Sequence, residues 1–290
     1  MPLRVNANEA TLLWVDEFSR RAEAYDANVA PRFEPIAREV VRLTNPRANE
    51  LFLDVGTGTG LLACLLAPRV LPQAVVAIDL ADGAISVASY RAGNAGIRNI
   101  RFEMLDARNI VYPGKRFDGA VSNLGMPNSG ADRVFQEVHR VLKPGGRFIF
   151  SEWPSEYPTT FSLPRELMGK YGTLGPSKEL ALLREARQLF RSDPEMEVLG
   201  NPTSVRKALA IAEFDRADST TKTFPVHFRD LDDLLAFTGS FGWCERELRE
   251  MAPDRRKEFD AELAARLQPL HTKAGIEDVW TLNFFVAVRE

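Results

Sequence analysis

The stretch Leu51 to Gly60, LFLDVGTGTG, constrains this chain more than any other. Leu51-Phe52-Leu53 reads as a short buried strand that ends in Asp54 and turns through Gly56, Gly58 and Gly60 into a helix over 61–67. Glycines at alternate positions remove side chains where the backbone turns sharply, so a ligand can sit against the main chain. The turn also aims the first amides of the following helix at the occupant, a favourable place for an anionic group. A nucleotide-like ligand meets that description, and a purely structural glycine turn is the competing reading. The spacing is not the dinucleotide G-x-G-x-x-G, because Leu61 stands where its third glycine belongs, and no lysine follows to make a phosphate loop.

The chain around this stretch alternates strand and helix. An amphipathic helix is predicted over 9–25, with Asn8 as its cap and with Trp14, Phe18 and Tyr25 on one face. That face either packs on the domain or forms part of a lid over the ligand site. A second helix follows Pro31, with Phe33, Ile36, Val40 and Val41 aligned. Strands are then predicted at 51–53, 74–78, 100–105, 117–121 and 147–151, with helices at 82–93 and 131–142 between them. Short apolar strands separated by helices indicate parallel strands buried on both faces, an α/β doubly wound sheet. Ligands in such sheets bind at the carboxyl ends of the strands. Asp54, Asp79, Asp106 and Asn123 follow the first four strands, all on that edge. A single aspartate there is an ordinary turn former. Four polar ends in succession indicate a site.

Beyond Trp153 the pattern is looser. Residues 155–201 read as an inserted helical segment with a helix at 178–191, followed by a helix at 202–214 and a strand at 220–228. Helices at 230–241 and 254–268 precede a final strand at 280–288. The expected division is 1–46 as N-terminal helices, 47–154 as the ligand-binding core, and 155–290 as a substrate-side insertion with the last strands.

A net charge of −3 and the absence of a basic run argue against nucleic acid as partner. Two cysteines, Cys64 and Cys244, cannot build a disulfide framework, and neither has metal-ligand spacing to a neighbour. No apolar stretch reaches the length needed to span a membrane. The expectation is a cytoplasmic enzyme without a metal.

D-x-G-x-G-x-G after a strand (Asp54 to Gly60), Leu105-Asp106-Ala107 and RVLKPGGRF (Arg140 to Phe148) together resemble the class I S-adenosylmethionine (SAM)-dependent methyltransferases. The similarity runs from about Tyr25 to Trp153 and is closest to the small-molecule branch that includes ubiquinone and menaquinone biosynthesis enzymes. It implies a seven-stranded, mostly parallel sheet whose last strand inserts antiparallel between the fifth and sixth. It implies SAM as cofactor and S-adenosylhomocysteine as product. By matched position, Asp54, Gly56, Thr57, Gly58 and Gly60 would pass under the methionine part. Asp79, with Leu80 beside it, would bind the ribose hydroxyls, and Asp106 with Ala107 the adenine. Asn123 and Leu124 would line the cofactor and the transfer site.

Departures narrow the acceptor. SNLGMPN after the fourth strand is not an N-P-P-Y or D-P-P-Y segment, and no paired-glutamate loop follows it. No aspartate cluster suits a metal-dependent catechol enzyme, and two cysteines are too few for arsenite chemistry. A small organic acceptor remains. Candidate bases are His227, at the end of the sixth strand, and Tyr25, on the first helix, while His139 reads as a structural surface residue. Met126, Trp153 and Phe161 are candidates for an apolar acceptor pocket. Phe241 and Trp243, taken as exposed, mark either a homodimer contact or internal packing. Two competing functions are an NAD(P)-dependent oxidoreductase on a related sheet and a non-catalytic SAM-binding partner protein.

Overall fold

A computed structural model describes residues 5–127, 129–192 and 198–290. The chain divides into two compact units: a core unit of Phe33–Glu156, Asp193–Lys222 and Thr281–Glu290, and a helical unit of Met1–Arg32, Tyr157–Ser192 and Thr223–Trp280. The strands are β1 (Phe52–Val55), β2 (Val75–Asp79), β3 (Ile100–Met104), β4 (Phe117–Asn123), β5 (Leu142–Glu152), β6 (Arg216–Phe228), β7 (His271–Thr272) and β8 (Gly275–Val288). Their order is β3-β2-β1-β4-β5-β8-β6, with β7 paired to β8 off that path. Strands β1 to β5 are parallel, and β8 runs antiparallel to β5. The mostly parallel doubly wound sheet expected from the alternating pattern is present, and the last strand lies between β5 and β6. The outer parts of β6 and β8, residues 223–228 and 275–280, belong to the helical unit.

The core unit is held by a continuous apolar layer. Phe148 and Phe150 lie two residues apart on β5 and so share one face. Their rings stack at 4.7 Å, and Phe150 stacks at 4.8 Å on Phe285 of β8. The helix Ala131–Val141 covers this face through Val134, Phe135, Val138 and Val141, all fully buried. The reverse order of the strands, with the chain returning from β3 to β4 beside β1, opens a switch point between the ends of β1 and β4. Arg147 fastens the edge of this layer: it donates to the Thr44 carbonyl, forms a bidentate pair with Glu50, and lies 5.1 Å from the Phe52 ring centroid. Bidentate geometry of that kind orders both partners more than a single contact does.

Several local expectations need correction. The first helix spans Ala7–Asn28, and its cap is Asn6, not Asn8: Asn6 Oδ1 accepts from the Glu9 amide while Glu9 accepts from the Asn6 amide. That reciprocal arrangement is a capping box. A helix at Gly242–Glu250, absent from the sequence reading, follows Phe241 directly. Trp243 is buried within it at 5% exposure, under the Arg187 guanidinium at 3.8 Å. Phe241 makes edge contacts with Tyr25 and Phe237. Both aromatics therefore pack inside the helical unit. Gly242, between them, is the first residue of the helix. Strands β4, β6 and β8 each extend beyond their predicted ends.

Phe148 is fully buried and meets the rings of Phe135, Phe150 and Phe214. Phe148→Ala should cost about 3–5 kcal/mol of stability. Urea unfolding followed by circular dichroism should show a lower midpoint with an unchanged slope.

Candidate active site

The carboxyl ends of β1 to β5 bring one set of residues together. Asp54 lies one residue before the end of the fully buried β1, and its Oδ2 accepts from the Thr57 hydroxyl at 2.7 Å. Its Oδ1 is buried and has no hydrogen-bond partner among the described residues. Burial pushes this carboxyl up to about 7; the Thr57 hydrogen bond and, more weakly, the Ala63 amide oppose that shift, and the Asp79 charge adds to it. A buried acceptor left open is costly in isolation and suits a ligand that donates to it.

Gly56 and Gly60 have positive φ values of 64° and 79°, which explains glycine at both. Gly56 has a second reason. A Cβ there would overlap the backbone carbonyl of Gly125, in the loop after β4, so the two loops lie main chain against main chain. Asp79, at the end of β2, accepts from the Gly58 amide at 2.8 Å and the Ala81 amide at 2.9 Å. Burial raises its carboxyl above the ordinary range against the pull of these amides. Each oxygen keeps a further lone pair for an incoming hydroxyl. Leu80 is half-buried beside it.

Asp106 is held by its neighbour Arg108, whose backbone amide and guanidinium both donate to it at 2.8–3.2 Å. Burial works to raise its pKa, but these hydrogen bonds and the Arg108 charge outweigh it and leave the carboxyl low. Ala107 packs on the edge of the apolar core. Asn123 Oδ1 accepts from the Ser151 hydroxyl at 2.9 Å, which ties the ends of β4 and β5 together. Leu124 takes a left-handed φ of 55°, and its amide donates to the Ser151 carbonyl. Met126 and Trp153, each 9% exposed, flank this edge, with Phe33 in edge contact with Trp153 at 6.1 Å.

Glu152, the last residue of β5, was missed by sequence reading. It is buried, and the backbone amides of Trp153 and Met126 donate to it. Burial pushes its carboxyl up to about 8 despite those amides. A titratable group so perturbed, beside Trp153 and the Met126 amide, is a candidate functional position. The one available signal was a charged residue ending an apolar run, FIFSEW.

The remaining candidates lie in the helical unit. His227 is on β6 and its Nε2 contacts the Ala274 carbonyl at 2.7 Å. Tyr25 packs edge-on against Phe18 and Phe241. Phe161 stacks on Tyr157 at 5.2 Å, under the Arg165 guanidinium at 3.8 Å. His139 packs against Phe214 in the core unit and is shifted below the usual histidine range by burial and Arg289. No cluster of metal-ligating side chains occurs among the described residues, and no helix there is long and apolar enough to cross a membrane.

A parallel sheet with a glycine loop at its switch point and carboxylates ending successive strands defines a site for a donor-rich nucleoside ligand. Residues 52–146 match the methyltransferase domain family. The chain is 35% identical over 142 residues to a demethylmenaquinone methyltransferase of Symbiobacterium thermophilum, across 47% of this chain and 57% of that protein. It is 28% identical over 260 residues to the nocamycin O-methyltransferase of Saccharothrix syringae, across 86% of this chain and 89% of the relative. Among solved structures, a Haemonchus contortus phosphoethanolamine N-methyltransferase in complex with SAM superposes with a TM-score of 0.51 at 16% identity, covering 88% of this chain and 52% of that one. The segment 52–146 is similar to a methyltransferase domain, and SAM is the cofactor that this similarity implies. The residues present fit that cofactor: it offers an ammonium, a ribose diol and an adenine amino group as donors, and the strand ends offer Asp54, Asp79 and Asp106 as acceptors.

The raised pKa of Glu152 has a stability consequence. The folded protein holds this proton more tightly than the unfolded chain, so the contribution is fully present below pH 4.5 and is lost as pH rises through about 8. Glu152→Gln removes that loss. Thermal unfolding between pH 5 and 9 should show the variant gaining on the wild type as pH rises.

Proposed function

We propose that the whole chain transfers the methyl group of SAM to an oxygen, nitrogen or carbon nucleophile of a small organic acceptor in the cytoplasm. The observation that carries this reading is the edge formed by buried Met126, Glu152 and Trp153 with half-buried Asn123, next to the glycine loop in the sheet order. When bound, SAM supplies an activated methyl group on a sulfonium. In this reading the Gly56–Gly60 loop seats the methionine part, with Asp54 Oδ1 accepting from it. Asp79 takes the ribose diol, and Asp106 the adenine amino group. Asn123 and Leu124 line the point of transfer.

The work left to the protein is alignment, which can supply roughly 7–11 kcal/mol of a barrier. A base is needed only for a protonated nucleophile. Glu152 takes that role here in place of His227 or Tyr25. It sits on the sheet edge itself, whereas the His227 ring is engaged with a backbone carbonyl and the Tyr25 ring with two phenylalanines. Met126 and Trp153 exclude water from the acceptor, and Phe161 is proposed to contribute an apolar surface within the helical unit.

Label transfer from methyl-tritiated SAM to a panel of phenols, amines and activated carbon acids tests the reading. We expect transfer to at least one class, rising with pH through about 8 as Glu152 ionises. Glu152→Gln should lower kcat about 100-fold, within the usual range for losing a general base. It should also abolish the pH dependence while leaving S-adenosylhomocysteine affinity unchanged. SAM binding without transfer to any member would favour a non-catalytic partner protein.

A further inference from the structure

The helical unit holds a cavity of about 310 Å³ that the methyltransferase reading does not use. Its walls come from the helices Thr159–Tyr171, Lys178–Arg191, Gly242–Glu250 and Pro253–Leu267. Five cationic side chains line it, Lys170, Arg184, Arg187, Arg191 and Arg255, with Glu247 as the one acidic residue. That imbalance is local, since the chain as a whole is slightly acidic.

Most of these groups already have partners. Glu247 is buried, and both its oxygens are taken by Arg184 at 2.6 and 2.7 Å. Lys170 pairs with Glu262, outside the cavity lining. Arg255 donates to the Lys170 and Tyr171 carbonyls, which leaves its charge uncompensated. Arg187 and Arg191 have no carboxylate partner among the described residues. Arg187 lies face-on to the Trp243 indole, so its in-plane N–H groups are not spent on that contact. Burial pulls its pKa down, and the Arg191 and Arg165 charges act the same way, against opposing contributions from Cys244 and Glu247. A half-buried guanidinium (Arg187) and an exposed one (Arg191) that repel each other beside a cavity are stabilised by an anion placed between them.

We propose that this cavity binds a small polyanion carrying phosphate or carboxylate groups, with Arg187 and Arg191 as its principal donors. Arginine suits either group because its fork matches two oxygens at once. The site is independent of the SAM loop and of the methyl-transfer reading.

Calorimetric titration of the full chain with sodium pyrophosphate and, separately, with citrate tests this at physiological ionic strength. Saturable binding of either probe is expected, and Arg187→Gln and Arg191→Gln should each weaken it about tenfold or more, as for a lost charged hydrogen bond. Arg98→Gln, which removes an exposed charge from the core unit, should leave it unchanged. Tighter pyrophosphate binding assigns the site to phosphate compounds, and tighter citrate binding to polycarboxylates. Arg191 is exposed, so its variant reads the site even if loss of the Arg187–Trp243 contact disturbs folding. Absence of saturable binding of both probes, or equal binding by wild type and Arg191→Gln, would overturn the proposal.

Discussion

The close approach of Gly56 to Gly125 is the constraint on which the site rests. Neither residue has room for a Cβ, so the loop after β1 and the loop after β4 meet through bare backbone. This contact sets the depth of the glycine loop and places Met126 one residue beyond it. The Asp79 carboxylate then holds the loop from the other side through the Gly58 amide. A loop pinned by backbone contacts at both ends is preorganised, and preorganisation lowers the ordering cost of binding.

Three carboxyls near this loop differ in electrostatic state. Asp106 is kept ionised by Arg108. Asp54 and Glu152 are pushed towards neutrality by burial. Desolvation without a paired cation is the common cause of the upward shifts. Proteins tolerate such groups where a ligand supplies the missing partner, and both sit at strand ends where parallel sheets bind ligands. The helical unit shows the opposite imbalance, with arginines in excess of carboxylates around one cavity.

The sheet was legible in the sequence because its signals are local. Short apolar runs that lead into Asp54, Asp79 and Asn123, each with a helix after it, mark β1, β2 and β4 without tertiary information, and β3 is read from Ile100, Phe102 and Leu105 ahead of Asp106. The glycine spacing separated this loop from a dinucleotide loop for the same reason. What escaped notice depends on contacts far apart in sequence. Gly125 matters only because Gly56 lies against it, and Glu152 reads as an ordinary strand end until the amides of Met126 and Trp153 enclose it. The helix at Gly242–Glu250 was hidden by its leading glycine and by Arg and Glu residues whose partners, Arg184 and Glu17 among them, lie elsewhere in the chain.

The measurement that bears most directly on this account is calorimetric binding of S-adenosylhomocysteine and of NAD to the wild-type protein and to Gly56→Ala. The account predicts micromolar binding of S-adenosylhomocysteine, loss of that binding in the variant because the added methyl forces the two loops apart, and no binding of NAD. Binding of NAD, or undiminished S-adenosylhomocysteine binding by Gly56→Ala, would contradict it.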